Sequence, residues 1–504
     1  MTTPRTVRPS GADTRPVPPV RIRLANDAPV RPERAYVLYW MVAARRARAN
    51  FALQRAVELA VELGRPLIVF EPLRVGYPWA SDRLHAFVLQ GMADNARAFA
   101  RTPARYFPYV EARPGEGRGL LEALAANAAA VVTDDAPVSF LPRMIAAAAG
   151  RLDVRLEAVD GNGLHPIRAV DRVFTTAFSY RAHLQKTLRR HLDDVPLTNP
   201  LAGVRLPPAP GLDDVLGRWP EAPPALLTGT ASALAGLPID HDVAPVAARG
   251  GAEAGHARLK AFVGRDLATY ADDRHDPDDP RTSGLSAYLH FGHVSPHEVF
   301  DAVMTHERWT RRKLAASGGG KREGWWGVAR GAEAFLDQLV TWREIGFNAA
   351  AHLAGHDRYD TLPVWARTTL AAHARDPRPH RYDRDTFERA ATHDPLWNAA
   401  QRELVRDGRI HTYLRMLWGK KILEWSRTPQ DALDTMIHLN DKYALDGRDP
   451  NSCSGIFWCL GRYDRPWGPE RDIFGTVRYM SSENTARKLR VKGYLARYAP
   501  SSRI

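Results

Sequence analysis

The run A-Y-V-L-Y-W-M from Ala35 to Met41, a helix-patterned stretch from Arg45 to Leu63, Gly64, and P-L-I-V-F from Pro66 to Phe70 together decide the fold of the first part of the chain. The first run is short, apolar and rich in Val, Tyr and Trp, which suits a pleated surface better than a helix. The stretch after it carries apolar residues at helical spacing and meets a glycine, a common helix stop. Strand, helix, glycine, strand is the order of a right-handed βαβ unit. Strand-like runs recur at Tyr106–Val110, Ala130–Thr133 and Val154–Val159, with helical stretches between them. Residues 35–175 are therefore expected to form a doubly wound, Rossmann-like α/β domain on a parallel sheet.

Outward from this block the composition changes. Residues 1–34 hold seven Arg and seven Pro with little apolar content, which predicts a basic tail that does not fold alone. Ten prolines between Pro196 and Pro245 interrupt any regular period, so residues 176–255 read as a Pro-rich interdomain connection. From about Gly255 strands are scarce and the pattern is helical, giving a mostly α-helical domain over 256–504. G-E-G-R-G at Gly115–Gly119 lacks the full spacing of a phosphate-binding glycine loop in a strand-to-helix context and is not assigned as a nucleotide site.

At 504 residues the chain exceeds the usual size of a single core, and 44% hydrophobic with 25% charged residues describes globular material. No apolar stretch approaches the roughly 20 residues that cross a bilayer. Cys453 and Cys459 are the only cysteines, too few for a disulfide scaffold and without companions at zinc spacings, which fits a reducing, cytoplasmic compartment. Secretion is not expected, because no apolar leader core is present, and Pro4, Pro9, Pro16, Pro18 and Pro19 spoil a transit helix. The net charge of +13 favours a polyanionic partner.

Ten of the thirteen tryptophans lie between Trp309 and Trp467, a concentration that asks for a redox or base-stacking explanation beyond packing. Within that region Phe335–Asn348 places Gln338, Trp342 and Ile345 at helical spacing, so an amide, an indole and an aliphatic side chain share a face suited to a flat heterocycle. Leu396–Trp425 breaks at Asp407-Gly408, and its second half carries Arg415, Met416, Trp418 and Trp425. Residues seven apart fall on nearly one helix face, so Trp418 and Trp425 form a stripe with Arg415 a turn before it. An inward-facing Arg needs a counter-charge, for which Asp446 is available. Thr282-Ser283-Gly284-Leu285-Ser286 is a hydroxyl-rich turn before a helical run, fit to cap a helix or to seat a diphosphate. His352 and His356 have metal-ligand spacing but no third ligand nearby, so no metal is assigned.

Several motifs taken together resemble the class II DNA photolyases of the photolyase/cryptochrome family. They are Y-V-L-Y-W-M, F-L-P-R-M-I-A-A-A-A from Phe140, T-S-G-L-S-A-Y-L-H-F-G from Thr282, L-W-N-A-A-Q-R-E-L, R-M-L-W-G-K-K-I-L-E-W, L-N-D-K-Y-A-L-D-G-R-D-P-N from Leu439, and F-G-T-V-R-Y-M. The resemblance covers most of the chain outside the tail and the Pro-rich connection. It implies a bent FAD in the helical domain and light-driven splitting of cyclobutane pyrimidine dimers in double-stranded DNA by a monomeric lyase. Thr282, Ser283, Leu285 and Ser286 would then seat the diphosphate, and Tyr270 and Arg343 would contribute to the FAD pocket. Arg415 would pair with Asp446 beside the isoalloxazine, with Asn440 at its N5. Trp418, Trp397 and Trp425 match the proximal, middle and outer members of an electron chain that reduces FAD. Trp342 and Trp458 match aromatics that hold the flipped-out lesion, with Met416 against it. Members of the family commonly house an antenna chromophore of deazaflavin or folate type in the α/β domain, and these residues do not specify one.

The basic residues Arg462, Arg465, Arg471, Arg478, Arg487, Lys488 and Arg490 are a plausible source of phosphate contacts along the duplex. One position departs from the family pattern. Repair enzymes of this kind carry a glutamate where Gln338 stands, and glutamine offers an N–H donor of similar reach with no titratable proton. That departure leaves two alternatives beside dimer repair: a changed lesion preference, or a cryptochrome-like photoreceptor that uses the same flavin and tryptophans for signalling.

Overall fold

The computed structural model describes residues 15–500, so positions 1–14 of the expected tail lie outside the described residues. The chain divides into two compact units, one comprising residues up to Val170 with Leu188–Leu259 and Leu285–Ala302, the other Asp171–Thr187, Lys260–Gly284 and Val303 onward.

The first unit is built on a six-stranded sheet. Its elements run β1 (Ile22–Leu24), β2 (Tyr36–Trp40), α1 (Phe51–Leu63), β3 (Leu67–Leu73), α2 (Asp82–Phe99), β4 (Arg105–Val110), α3 (Leu120–Ala125), β5 (Ala128–Asp134), α4 (Leu141–Ala149) and β6 (Leu156–Val159). The spatial order is β1-β6-β5-β2-β3-β4, parallel except for β1 against β6. All of β2 is buried. Tyr36, Leu38 and Trp40 join one core with Ile68, Phe70 and Phe107, while Val37 and Tyr39 join the other with Val69 and Val132. Burial on both faces is why the strand reads as a continuous apolar run without alternation. The helix expected from Arg45 starts at Phe51, because the Asn50 side chain accepts the Leu53 N–H at 3.0 Å; it ends at Gly64, whose φ is +63°.

Strand order reverses between β5 and β2, the place where open α/β sheets present a ligand crevice. Here Asp134 fills it, accepting the N–H groups of Val42, Ala43 and Ala44 at 2.9, 2.7 and 3.0 Å. The Gly115–Gly119 loop is occupied in the same manner, with Glu111 Oε1 accepting from Gly115 N at 2.8 Å and Gly117 N at 3.2 Å.

Two organisational expectations need correction. The tail reading fails for the described residues before 35. Arg21 is buried over the Phe51 ring at 4.6 Å and donates to the carbonyls of Asp160, Gly163 and Leu164, while Ile22–Leu24 adds an antiparallel edge to the sheet. The Pro-rich stretch is no free connection either. Leu212 and Trp219 enter one core cluster of the first unit, and Leu227, Leu234 and Leu237 enter another. Proline forbade regular elements, but these spaced apolar side chains still fold the segment onto the α/β core.

A buried histidine makes this unit acid-sensitive. His293 is fully buried and its Nδ1 accepts the Gly251 N–H at 2.9 Å, and burial lowers its pKa to about 3 from 6.5. Below pH 6.5 the unfolded chain takes up a proton that the folded one refuses, so stability falls as pH drops toward 3. The expected slope from this group is about 1.4 kcal/mol per pH unit. Melting curves of wild type and His293→Gln across that window check it, and the variant should show the shallower fall.

Candidate functional site

The second unit is helical, and its site is carried by α5 (Ala177–Thr187), α6 (Arg330–Leu336), α7 (Arg343–His352), α8 (Pro395–Asp407), α9 (Thr412–Trp425), α10 (Pro429–Tyr443) and α11 (Pro450–Cys459). Three of these begin alike. Asp394, Thr428 and Asp449 cap α8, α10 and α11 through their side chains, each followed by proline at the first helical position. Gly408, at φ +67°, ends α8 where the Asp-Gly signal placed the break.

Between α6 and α7 the chain widens into a π-helical turn over Asp337–Trp342, in which Arg343 N–H donates to the Gln338 carbonyl five residues back. The turn is braced by a buried ion pair, with Arg181 of α5 donating to both Asp337 oxygens at 2.6 and 3.0 Å. Widening corrects the expected face: Gln338 and Trp342 are half-buried, whereas Ile345 points into the core with no exposed surface. Such π turns occur mostly where a helix has functional side chains to aim.

Trp342 stacks on Trp458 of α11 with ring centroids 4.9 Å apart and planes 25° from parallel. Both indoles, Gln338 and Met416 are half-buried. None of the side-chain polar atoms of Gln338, Trp342 and Trp458 makes a hydrogen bond among the described residues, so an amide and two indole N–H groups stay available at the stack. Two glycines let α11 come this close. A Cβ on Gly346 of α7 would lie 2.7 Å from the Pro450 carbonyl oxygen, and one on Gly419 of α9 would lie 2.5 Å from Cys459 Sγ. Gly346→Ala is expected to cost about 1–3 kcal/mol by overpacking. Thermal melts would show the loss, and near-UV circular dichroism would report disturbance of the Trp342–Trp458 pair.

A polar relay joins α9, α10 and α11. Arg415 Nη2 is 3.6 Å from Asp446 Oδ1 and its Nη1 is 3.5 Å from Ser452 Oγ, while Ser452 Oγ donates to Asn440 Oδ1 at 3.2 Å. Asn440 Nδ2 donates to Asp441 Oδ1 at 2.9 Å, which leaves its second N–H to spare. Asp446 is buried, yet its Oδ1 accepts no hydrogen bond among the described residues. The expected Arg415–Asp446 pair is thus present and incompletely satisfied.

Trp397, Trp418 and Trp425 are all buried at 2% exposure or less. Trp397 Nε1 donates to the Trp418 carbonyl at 3.0 Å, Trp418 Nε1 donates to Gln401 Oε1 at 2.9 Å, and the Trp397 and Trp425 rings stand 6.0 Å apart at 69°. Trp425 in turn meets Tyr382 at 5.7 Å and His393 at 5.0 Å, and these two are hydrogen-bonded at 2.7 Å on the exposed side.

Tyr270 is buried edge-on against Phe262 and Phe335, with Arg274 over its ring at 5.5 Å. Arg343 is buried over Phe347 at 4.4 Å. Thr282 and Ser283 belong to the second unit, whereas Leu285 and Ser286 fall in the first, where Leu285 is buried. Among the basic residues, Arg471, Arg478, Arg487 and Lys488 are exposed. Arg462 is not a surface cation: it is buried over Phe457 and donates to the His356 carbonyl at 2.6 Å. Arg490 pairs with Asp276. No group of three or more metal-ligating side chains is assembled among the described residues.

Sequence reading missed Gln401, Ser452, Arg181 and the exposed Trp467, which lies between Arg465 at 4.7 Å and Arg478 at 4.9 Å. The Arg-Pro-Trp run was a usable signal for Trp467. A helical Gln or Ser carries none.

No protein-family model matches the chain. It is 35% identical over 483 residues to a deoxyribodipyrimidine photo-lyase of Methanothermobacter thermautotrophicus, covering 95% of this chain and 97% of that one. A deoxyribodipyrimidine photo-lyase of Oryza sativa is 34% identical, with 91% and 87% covered, and one of Potorous tridactylus is 30% identical, with 95% and 85% covered. Among solved structures, a class III photolyase of Agrobacterium tumefaciens aligns at TM-score 0.63 and 17% identity, covering 92% of this chain and 86% of that one. A Synechocystis cryptochrome aligns at 0.64 and 15%, covering 92% and 88%. Relatives at this identity across nearly the whole length mean that the chain belongs to the photolyase/cryptochrome family.

Proposed function

We propose that the chain is a DNA photolyase of the class II type that splits cyclobutane pyrimidine dimers with light. The observation that carries this reading is the half-buried Trp342–Trp458 stack, with Gln338 half-buried on the same π turn as Trp342, and with Trp458 and the half-buried Met416 on helices that also carry the Asn440–Ser452–Arg415–Asp446 relay. A flipped-out pair of damaged bases needs an apolar stacking surface with a few donors at its edge, and unpairing costs less at a lesion than at intact sequence.

The relay fits a flavin. Asn440 keeps one N–H free, and Asp446 Oδ1 is buried without a hydrogen bond. Arg415 neutralises Asp446 and holds Ser452, which orients the Asn440 amide toward a bound ring. Tyr270, Arg343 and the hydroxyls of Thr282, Ser283 and Ser286, with Leu285, are the residues assigned to the rest of the cofactor. When bound and reduced, FAD supplies on blue or near-UV excitation the electron that opens the dimer and receives it back. Gln338 donates to a pyrimidine carbonyl, Met416 and the two indoles exclude water, and Trp418, Trp397 and Trp425 pass electrons inward to restore the reduced cofactor.

The duplex is gripped by cations around an aromatic plug. Arg465 and Arg478 flank the exposed Trp467, and Arg471, Arg487 and Lys488 extend the charge. Affinity for dimer-containing duplex should fall roughly a thousandfold between about 50 and about 200 mM salt. Trp467→Ala should weaken it by about 1–3 kcal/mol, the usual value of one lost base stack. Titration by fluorescence anisotropy at several salt concentrations checks both, and a flat salt response would remove DNA from the reading.

Gln338 favours a second reading. In a photoreceptor the same flavin and tryptophans form a signalling state, and the acid that assists splitting is dispensable. The two readings part on whether light removes lesions from DNA.

A further inference from the structure

We infer that Gln401 is a positioning residue that keeps the indole proton on Trp418 while an electron is drawn from it, an inference that rests on the electron-chain reading above. Gln401 has no exposed surface and sits one helical turn after Trp397 on α8, so the two side chains leave the same face. Both address Trp418, one through its carbonyl at 3.0 Å and the other through its Nε1 at 2.9 Å. The other end of the Gln401 amide donates to the Glu388 carbonyl at 3.4 Å, which fixes Oε1 as the atom that meets the indole. A buried polar side chain is tolerated when its groups are paired, and a buried Trp N–H needs an acceptor.

The kind of acceptor matters as much as its presence. An indole that has lost an electron is a far stronger acid than neutral indole. A carboxylate or imidazole in hydrogen-bond contact would take the proton and leave a neutral radical, which the next tryptophan refills poorly. An amide oxygen is no base, and neither is the backbone carbonyl that Trp397 faces. One electron leaves Trp418 for the excited flavin, one passes from Trp397 to Trp418, and one from Trp425 to Trp397. No proton moves at either inner ring, and the missing electron ends on Trp425.

The test uses the full chain loaded with FAD. Trp397→Phe strands the oxidised state on Trp418, and transient absorption distinguishes the indole cation radical from the neutral radical. With Gln401 intact, the expected species is the cation radical, decaying only by recombination and with no solvent deuterium effect. Adding Gln401→His should convert it to the neutral radical with a solvent deuterium effect, whereas adding Gln401→Met should leave the cation form. In the chain with Trp397 restored, Gln401→His should lower the yield of stable flavin reduction by about tenfold. A neutral radical on Trp418 with Gln401 intact would overturn the inference, as would Gln401→Met behaving like Gln401→His. Absence of any tryptophan radical in the wild-type chain would instead overturn the electron chain itself.

Discussion

Trp397→Phe should lower the rate of flavin photoreduction by about tenfold or more while chemically reduced protein still acts on dimer-containing DNA. Trp397 is the member with contacts on both sides, bonded to the Trp418 carbonyl at 3.0 Å and 6.0 Å from the Trp425 ring. Phenylalanine fills much of the space but is far harder to oxidise, and it loses the Nε1 bond. The Trp342–Trp458 stack, proposed above to meet the lesion, keeps its residues. Steady illumination with an external electron donor, followed through the flavin absorption, reads the effect. An unchanged rate would mean that electrons enter by another route.

The second large effect is expected at Gln338. Gln338→Glu should raise the splitting yield about fivefold, from roughly 1 kcal/mol of stronger hydrogen bonding to the anionic pyrimidine. A carboxylic acid donates more strongly than an amide, and among the described residues no hydrogen-bond partner competes for the half-buried Gln338 side chain on the π turn. The gain carries its own signature. Only the protonated acid donates, so the advantage of the variant should shrink as pH rises through the carboxyl pKa, whereas wild type, with an amide, should show no such step. Assays on both cyclobutane dimers and other bipyrimidine lesions, across pH, decide it. No change for either lesion would remove Gln338 from the chemistry.

How much of this was legible in the chain varied with the physics behind each feature. The α/β unit was readable because strands buried on both faces leave continuous apolar runs, as in Tyr36–Trp40, and helices between them end on glycine. The antiparallel edge Ile22–Leu24 was not, being a three-residue strand among arginines and prolines with no period to detect. The Pro-rich segment misled because proline reports irregular backbone and says nothing about attachment; Trp219 and Leu234 carried that information.

In the site, several of the residues that sequence singled out meet in pairs. Arg415 meets Asp446, Trp342 meets Trp458, and Trp397 joins Trp418 to Trp425. The π turn left no mark in sequence, because its widened bonding is imposed by packing and by the Arg181–Asp337 pair, drawn from a helix 156 positions earlier. Gln401 and Ser452 were invisible for a different reason. Each is a common helix residue whose role exists only once α8, α9, α10 and α11 are brought together.

Repair of DNA is the activity proposed for this arrangement. Its most direct measurement is illumination of the reduced, flavin-loaded protein with duplex containing cyclobutane pyrimidine dimers, following the lesion by chromatography with a dark control. Repair requires loss of the dimer and recovery of intact pyrimidines in the light alone. Flavin photoreduction through the tryptophans with no loss of dimers would contradict it and leave the photoreceptor reading in its place.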